Sequence, residues 1–96
     1  MPAPLEIRVL NVDAAGWTPV NVPFDCSSMA IKNGGTSAAV RMRTDSQDSA
    51  TEDLLTAGSE QTFAVPFYRY RFVTGAQPLW LQAASESVPV ILKFLA

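Results

Sequence analysis

The feature that most constrains this chain is its rhythm. Short runs alternate apolar and polar residues, and glycine, proline, asparagine or serine ends each run. Leu5-Glu6-Ile7-Arg8-Val9 has the two-residue period of a half-buried strand. Leu10 and Val12 then move the apolar set to the opposite parity, which predicts a bulge or a change of sheet near Leu10. Asp13 to Gly16 reads as a turn. Val20-Asn21-Val22 lies between Pro19 and Pro23, which lack an N–H donor, so it belongs at a sheet edge. Ser28–Lys32 and Ala38–Arg43 flank Asn33-Gly34-Gly35-Thr36, and the pattern predicts a β-hairpin over residues 28–43.

The polar, acidic stretch Asp45 to Asp53 reads as a surface loop or one short helical turn, with Leu54-Leu55 anchoring it to the core. Ala57-Gly58-Ser59-Glu60 is a turn, and Gln61 to Val65 is strand-like up to Pro66. Phe67 to Val73 is an aromatic strand. After a turn at Thr74 to Pro78, Leu79–Ala84 and Val88–Phe94 form a last strand pair joined around Ser85-Glu86-Ser87. The expected fold is all-β, an antiparallel β-sandwich or barrel of about seven to eight short strands. The expected inward set is Ile7, Val9, Met29, Ile31, Val40, Met42, Phe63, Leu79, Leu81, Val90, Leu92 and Phe94. At 96 residues the chain is one domain. Residues 1–27 read as an N-terminal strand and a Pro-containing arm, and 28–96 as the sandwich core.

Several kinds of chemistry are hard to build here. The chain has no histidine, which removes the commonest general base and metal ligand. Cys26 is the only cysteine, so no internal disulfide or CxxC site exists, and no histidine is present to activate its thiol. The acidic run Asp45, Asp48, Glu52 and Asp53 lacks the glycine and spacing of an EF-hand loop. Gly34-Gly35-Thr36-Ser37 lacks the GxxxxGK[ST] order of a phosphate loop. The expectation is a non-enzyme with no catalytic residues, cofactor or metal. A net charge of −2 argues against nucleic acid as a partner. No run reaches the roughly 18 apolar residues that span a bilayer, and the first residues do not resemble a signal peptide.

Positive signals point to docking. Phe67, Tyr68, Arg69, Tyr70 and Arg71 interleave aromatic and arginine side chains, the types enriched at interface hot spots. The final strands carry apolar residues on both faces: Trp80 opposes Leu79 and Leu81, and Ile91 and Leu95 oppose Val90, Leu92 and Phe94. Either those strands are central or another chain covers them, and the second option is the expectation. Trp17 and Phe24 are candidate anchors on the N-terminal segment.

The succession Met29-Ala30-Ile31-Lys32-Asn33-Gly34-Gly35, Val40 to Asp45, Leu55-Thr56-Ala57-Gly58-Ser59-Glu60, and Pro78 to Ala83 with Val88 to Phe94 resembles small β-sandwich virion proteins of tailed bacteriophages. It covers roughly residues 28–95 and rests on turn chemistry. The resemblance implies a virion structural protein, assembled in the host cytoplasm. Capsid decoration is the first role it implies, with head–tail connector, tail or fibre accessory roles beside it. It also implies major capsid or tail proteins as partners and a homo-oligomeric state. The alternative class is a free-standing carbohydrate- or protein-binding module using Trp80 and Tyr68 as flat platforms.

Overall fold

The two-residue alternation does produce strands. The computed structural model describes residues 5–44, 46, 48, 52–64 and 72–96. Among them lie β1 (Leu5–Val12), β2 (Thr18–Val20), β3 (Ser28–Asn33), β4 (Val40–Thr44), β5 (Glu52–Leu55), β6 (Glu60–Ala64), β7 (Leu79–Ala83) and β8 (Val88–Leu95), and no helix. They form two antiparallel four-stranded sheets, sheet A in the order β1-β8-β3-β6 and sheet B in the order β2-β7-β4-β5. The sheets pack face to face as a sandwich and do not close into a barrel.

The pairing has a simple logic. β1 pairs with β8, β2 with β7, β3 with β6, and β4 with β5. The chain is thus one long double-stranded ribbon whose tip is the β4–β5 connection. Between β2·β7 and β3·β6 the described residues still hold the ribbon together. There Cys26 bridges Phe72, and Val22 and Gly75–Ala76 exchange backbone bonds of 2.8 and 3.0 Å. Winding the ribbon brings β8 beside β3 and β7 beside β4, which completes the sheets. This strand order is that of a jelly roll.

The core lies between the sheets. Met29, Ile31, Val90, Leu92 and Phe94 from sheet A meet Val20, Val40, Met42, Leu79 and Leu81 from sheet B, all buried. Phe63 is half-buried against the same cluster. Val12, Val22, Cys26, Ala38, Leu55, Phe72, Ala83 and Val88 join it from strand ends and connections. Residues 5–27 are woven into both sheets, β1 at one edge of sheet A and β2 at one edge of sheet B.

Four sequence expectations are corrected. First, β3 and β4 do not form a hairpin, because the Asn33–Thr36 segment carries the chain from sheet A to sheet B. Asn33, fully buried, holds that corner. Its Nδ2 donates to the Ala38 and Leu55 carbonyls at 2.9 Å, and its Oδ1 accepts from the Gly35 N–H at 2.8 Å. Gly34 is needed for close approach: an added Cβ would lie 2.6 Å from the Pro89 carbonyl oxygen. Second, β7 and β8 do not pair, since each is an inner strand of a different sheet. Their two apolar faces follow from that central placement.

Third, β1 has no bulge or change of sheet at Leu10. Its register with β8 runs unbroken from Leu5↔Leu95 to Val12↔Val88. A straight strand can turn only one parity inward, and Val12 takes the core. Ile7 and Val9 therefore face solvent, 59% and 65% exposed, and do not belong to the inward set. Fourth, Glu52 and Asp53 are not loop residues. They begin β5 and pair with Arg43 and Met42 of β4.

Candidate functional site

The two sheets turn outer faces of different character toward solvent. On sheet A, cross-strand register groups the outward side chains. Leu5 sits opposite Leu95, Ile7 opposite Lys93, and Val9 opposite Ile91. Leu5, Ile7, Val9 and Leu95 are 61%, 59%, 65% and 43% exposed, and Ile91 is half-buried beside them. The result is an apolar stripe along β1 and β8. Lys93, between Ile91 and Leu95 on β8, interrupts it and reaches away toward β6, with its Nζ ion-paired to Glu60 Oε2 at 3.2 Å. The other side of β1 carries Glu6 and Arg8, ion-paired at 2.6 Å.

The outer face of sheet B is built differently. Arg41 and Arg43, two apart on β4, point out together. Both bond Glu52 on β5: Arg41 Nη2 and Arg43 Nε each donate to Oε1 at 2.9 Å, and Arg41 Nε to Oε2 at 3.2 Å. Arg41 Nη1 donates to Gln82 Oε1 on β7 at 2.7 Å, and Gln82 Nε2 donates to the Ala14 carbonyl at 3.1 Å. Trp17 lies under both guanidinium groups, with ring-centroid distances of 5.2 Å to Arg41 and 4.4 Å to Arg43. The hydrogen bond from Arg41, then that from Arg43, holds the Glu52 carboxyl below its ordinary pKa. Half-buried Trp80 shares this face, and its Nε1 is buried with no hydrogen-bond partner among the described residues.

The structure disperses the other residues singled out from sequence. Trp17 and Trp80 belong to the sheet B face, Ile91 and Leu95 to the sheet A face. Phe24 is half-buried against the core. Phe67, Tyr68, Arg69, Tyr70 and Arg71 lie outside the described residues. Sequence reasoning missed Leu5, Ile7 and Val9 as surface residues, although the parity switch at Leu10 carried the signal once the strand was taken as straight. It also missed the Arg41–Glu52–Gln82 network, which exists only through strand pairing.

Three further carboxylates are tied into local structure. Asp13 Oδ1 accepts from the Ser87 hydroxyl, Glu86 from the Ser37 hydroxyl, and Asp25 Oδ1 from the Thr74 N–H and hydroxyl. Burial, then the charge of Asp25, raises the Cys26 pKa and keeps the thiol protonated at neutral pH. Among the described residues, no group of three or more His, Cys, Asp or Glu side chains is placed to hold a metal ion. No family model, curated protein or solved structure matches the chain.

Proposed function

We propose that the protein is a non-enzymatic virion structural protein of a tailed phage that works by docking, with capsid decoration as its first role. The observation that carries the docking part is the uncovered apolar stripe of Leu5, Ile7, Val9 and Leu95. Small domains leave such a face bare where another surface covers it. The turn succession over residues 28–95 supplies the setting. The jelly roll is compatible with it, being an architecture of viral coats, but also of lectins and cupins, so the fold alone does not choose. In this reading major capsid subunits cover the stripe, and surface buried across a subunit boundary raises particle stability by mass action. Connector, tail and fibre roles would use the same stripe on a different partner.

The binding-module alternative draws on Trp80 and Tyr68. It is the weaker reading, because Trp80 is half-buried and not an open flat platform, and Tyr68 lies outside the described residues. The test is co-purification with particles of the phage that encodes the chain, with and without it. The expected result is a particle-bound protein whose loss lowers the temperature at which particles break open. Val9→Asp is expected to abolish attachment while the isolated chain stays folded. A wild-type chain that stays off particles and leaves their heat resistance unchanged sinks the reading.

A further inference from the structure

The four sheet edges are not alike. β2 is three residues long and contains Pro19, and β5 begins with Glu52-Asp53, both features that discourage strand addition. β1 is eight residues long and pairs, among the described residues, with β8 alone. Its free edge therefore offers backbone donors and acceptors along a strand that is apolar on its outer face. Inward-facing charges such as Glu6 and Arg8 usually protect an edge from pairing. Here they have opposite signs and stand symmetrically about Ile7, and that changes what they do.

We infer that β1 pairs edge to edge with β1 of a second copy, antiparallel about a two-fold axis at Ile7. A two-fold axis perpendicular to the sheet sets residues of the same face opposite one another. With Ile7 on the axis, Glu6 meets Arg8 of the partner subunit and Arg8 meets Glu6 of the partner subunit. On the outer face Ile7 meets its own equivalent, and Leu5 and Val9 meet each other. The neighbouring registers that keep the faces matched fail. One residue toward the start of the strand puts Glu6 against Glu6 of the partner subunit, and one residue toward its end puts Arg8 against Arg8 of the partner subunit. Like charges directly opposite are destabilising. The two charges thus admit one register and reject the adjacent ones.

The pairing joins sheet A of two copies into one eight-stranded sheet and sets their apolar stripes side by side. Each Glu6–Arg8 pair, 2.6 Å apart within one chain, becomes half of a four-charge cluster across the axis. The antiparallel ladder is satisfied whichever parity of β1 turns its N–H and C=O outward. The inference is independent of any particle, since it needs only the chain.

The experiment is sedimentation velocity and native mass measurement on the full chain over a concentration series, with thermal melts to verify folding. Wild type is expected to dimerise with a Kd on the order of 1–100 μM, the range of a small edge-to-edge contact. Glu6→Arg and Arg8→Glu are each expected to weaken the dimer by about tenfold or more. The double swap E6R/R8E restores the pairing and the dimer. An equimolar mixture of the two single variants forms a heterodimer tighter than either variant alone. Ile7→Asp, which sets two carboxylates on the axis without touching the Glu6–Arg8 pair, also dissociates the dimer. A chain that stays monomeric at several times about 100 μM overturns the inference. So does a dimer that E6R, R8E and I7D all leave unchanged.

Discussion

The two outer faces of the sandwich are made by the same device, and they end in opposite states. Both use the outward residues of paired strands. On sheet B those residues complete one another: Arg41 reaches Glu52 on one side and Gln82 on the other, and Trp17 lies beneath both arginines. On sheet A the outward residues of β1 are Leu5, Ile7 and Val9, and nothing among the described residues covers them. The charged residues of one face are matched within the chain, although Leu54 there is 57% exposed, whereas the apolar residues of the other are left open among the described residues. An aromatic residue at a surface is therefore a poor guide to interaction by itself. Trp17, a candidate anchor in the sequence, is stacked against two arginines, while Ile7 and Val9, assigned to the core, are on the surface.

The largest expected effect breaks the frame that holds both faces. Asn33 ends β3 in sheet A and bonds two carbonyls that lead into and out of sheet B strands. Asn33→Ala leaves those carbonyls and the Gly35 N–H without their partner. It is expected to cost about 3 kcal/mol or more, read as a shift of the urea midpoint. A loss under about 1 kcal/mol would show that water replaces the amide at this corner.

The next two effects set the faces directly against each other. Trp17→Ala removes the ring beneath two guanidinium groups and is expected to lower stability by about 1–2 kcal/mol. Val9→Asp, at a site 65% exposed, is expected to change stability by less than about 1 kcal/mol while removing association. If V9D unfolds the chain and W17A does not, the assignment of matched and open faces is reversed.

The smallest effect concerns pH. Glu52 is held below its ordinary pKa in the folded chain, so its contribution is fully present above the unfolded-state value. It is lost as the pH falls through the lower folded-state value. Glu52→Gln is expected to flatten that part of the acid unfolding curve and to leave the neutral-to-basic part parallel to wild type. Equal acid slopes in the two proteins would show that Glu52 has no functional tie to the arginines in solution.

Much of the core was legible because alternation is local. Met29 and Ile31, Val40 and Met42, Leu79 and Leu81, and Val90, Leu92 and Phe94 all turn inward as their spacing requires. The sheet partners were not legible for the same reason: a two-residue period states which face of a strand is apolar and leaves open whether the next strand lies beside it or across the core. Asn33-Gly34-Gly35 has hairpin composition. Its asparagine serves a buried corner and Gly34 a close backbone approach, and the left-handed glycines among the described residues are Gly58 and Gly75. Ile7 and Val9 were misplaced because charges on an alternating strand normally mark the wet side, and on β1 the strand end beyond Leu10 decides instead. The acidic composition of Glu52-Asp53 hid a strand on which Glu52 is matched by Arg41 and Arg43.

The ribbon-like path sets an order on biosynthesis. Of the eight strands described, β1 leaves the ribosome first and its ladder partner β8 last. Until then its leucine, isoleucine and valine side chains lack the neighbours that sheet A provides, and chains growing on one messenger hold identical unpaired strands near one another. The same strand that closes the finished domain is thus the one most in need of shielding while the domain is being made.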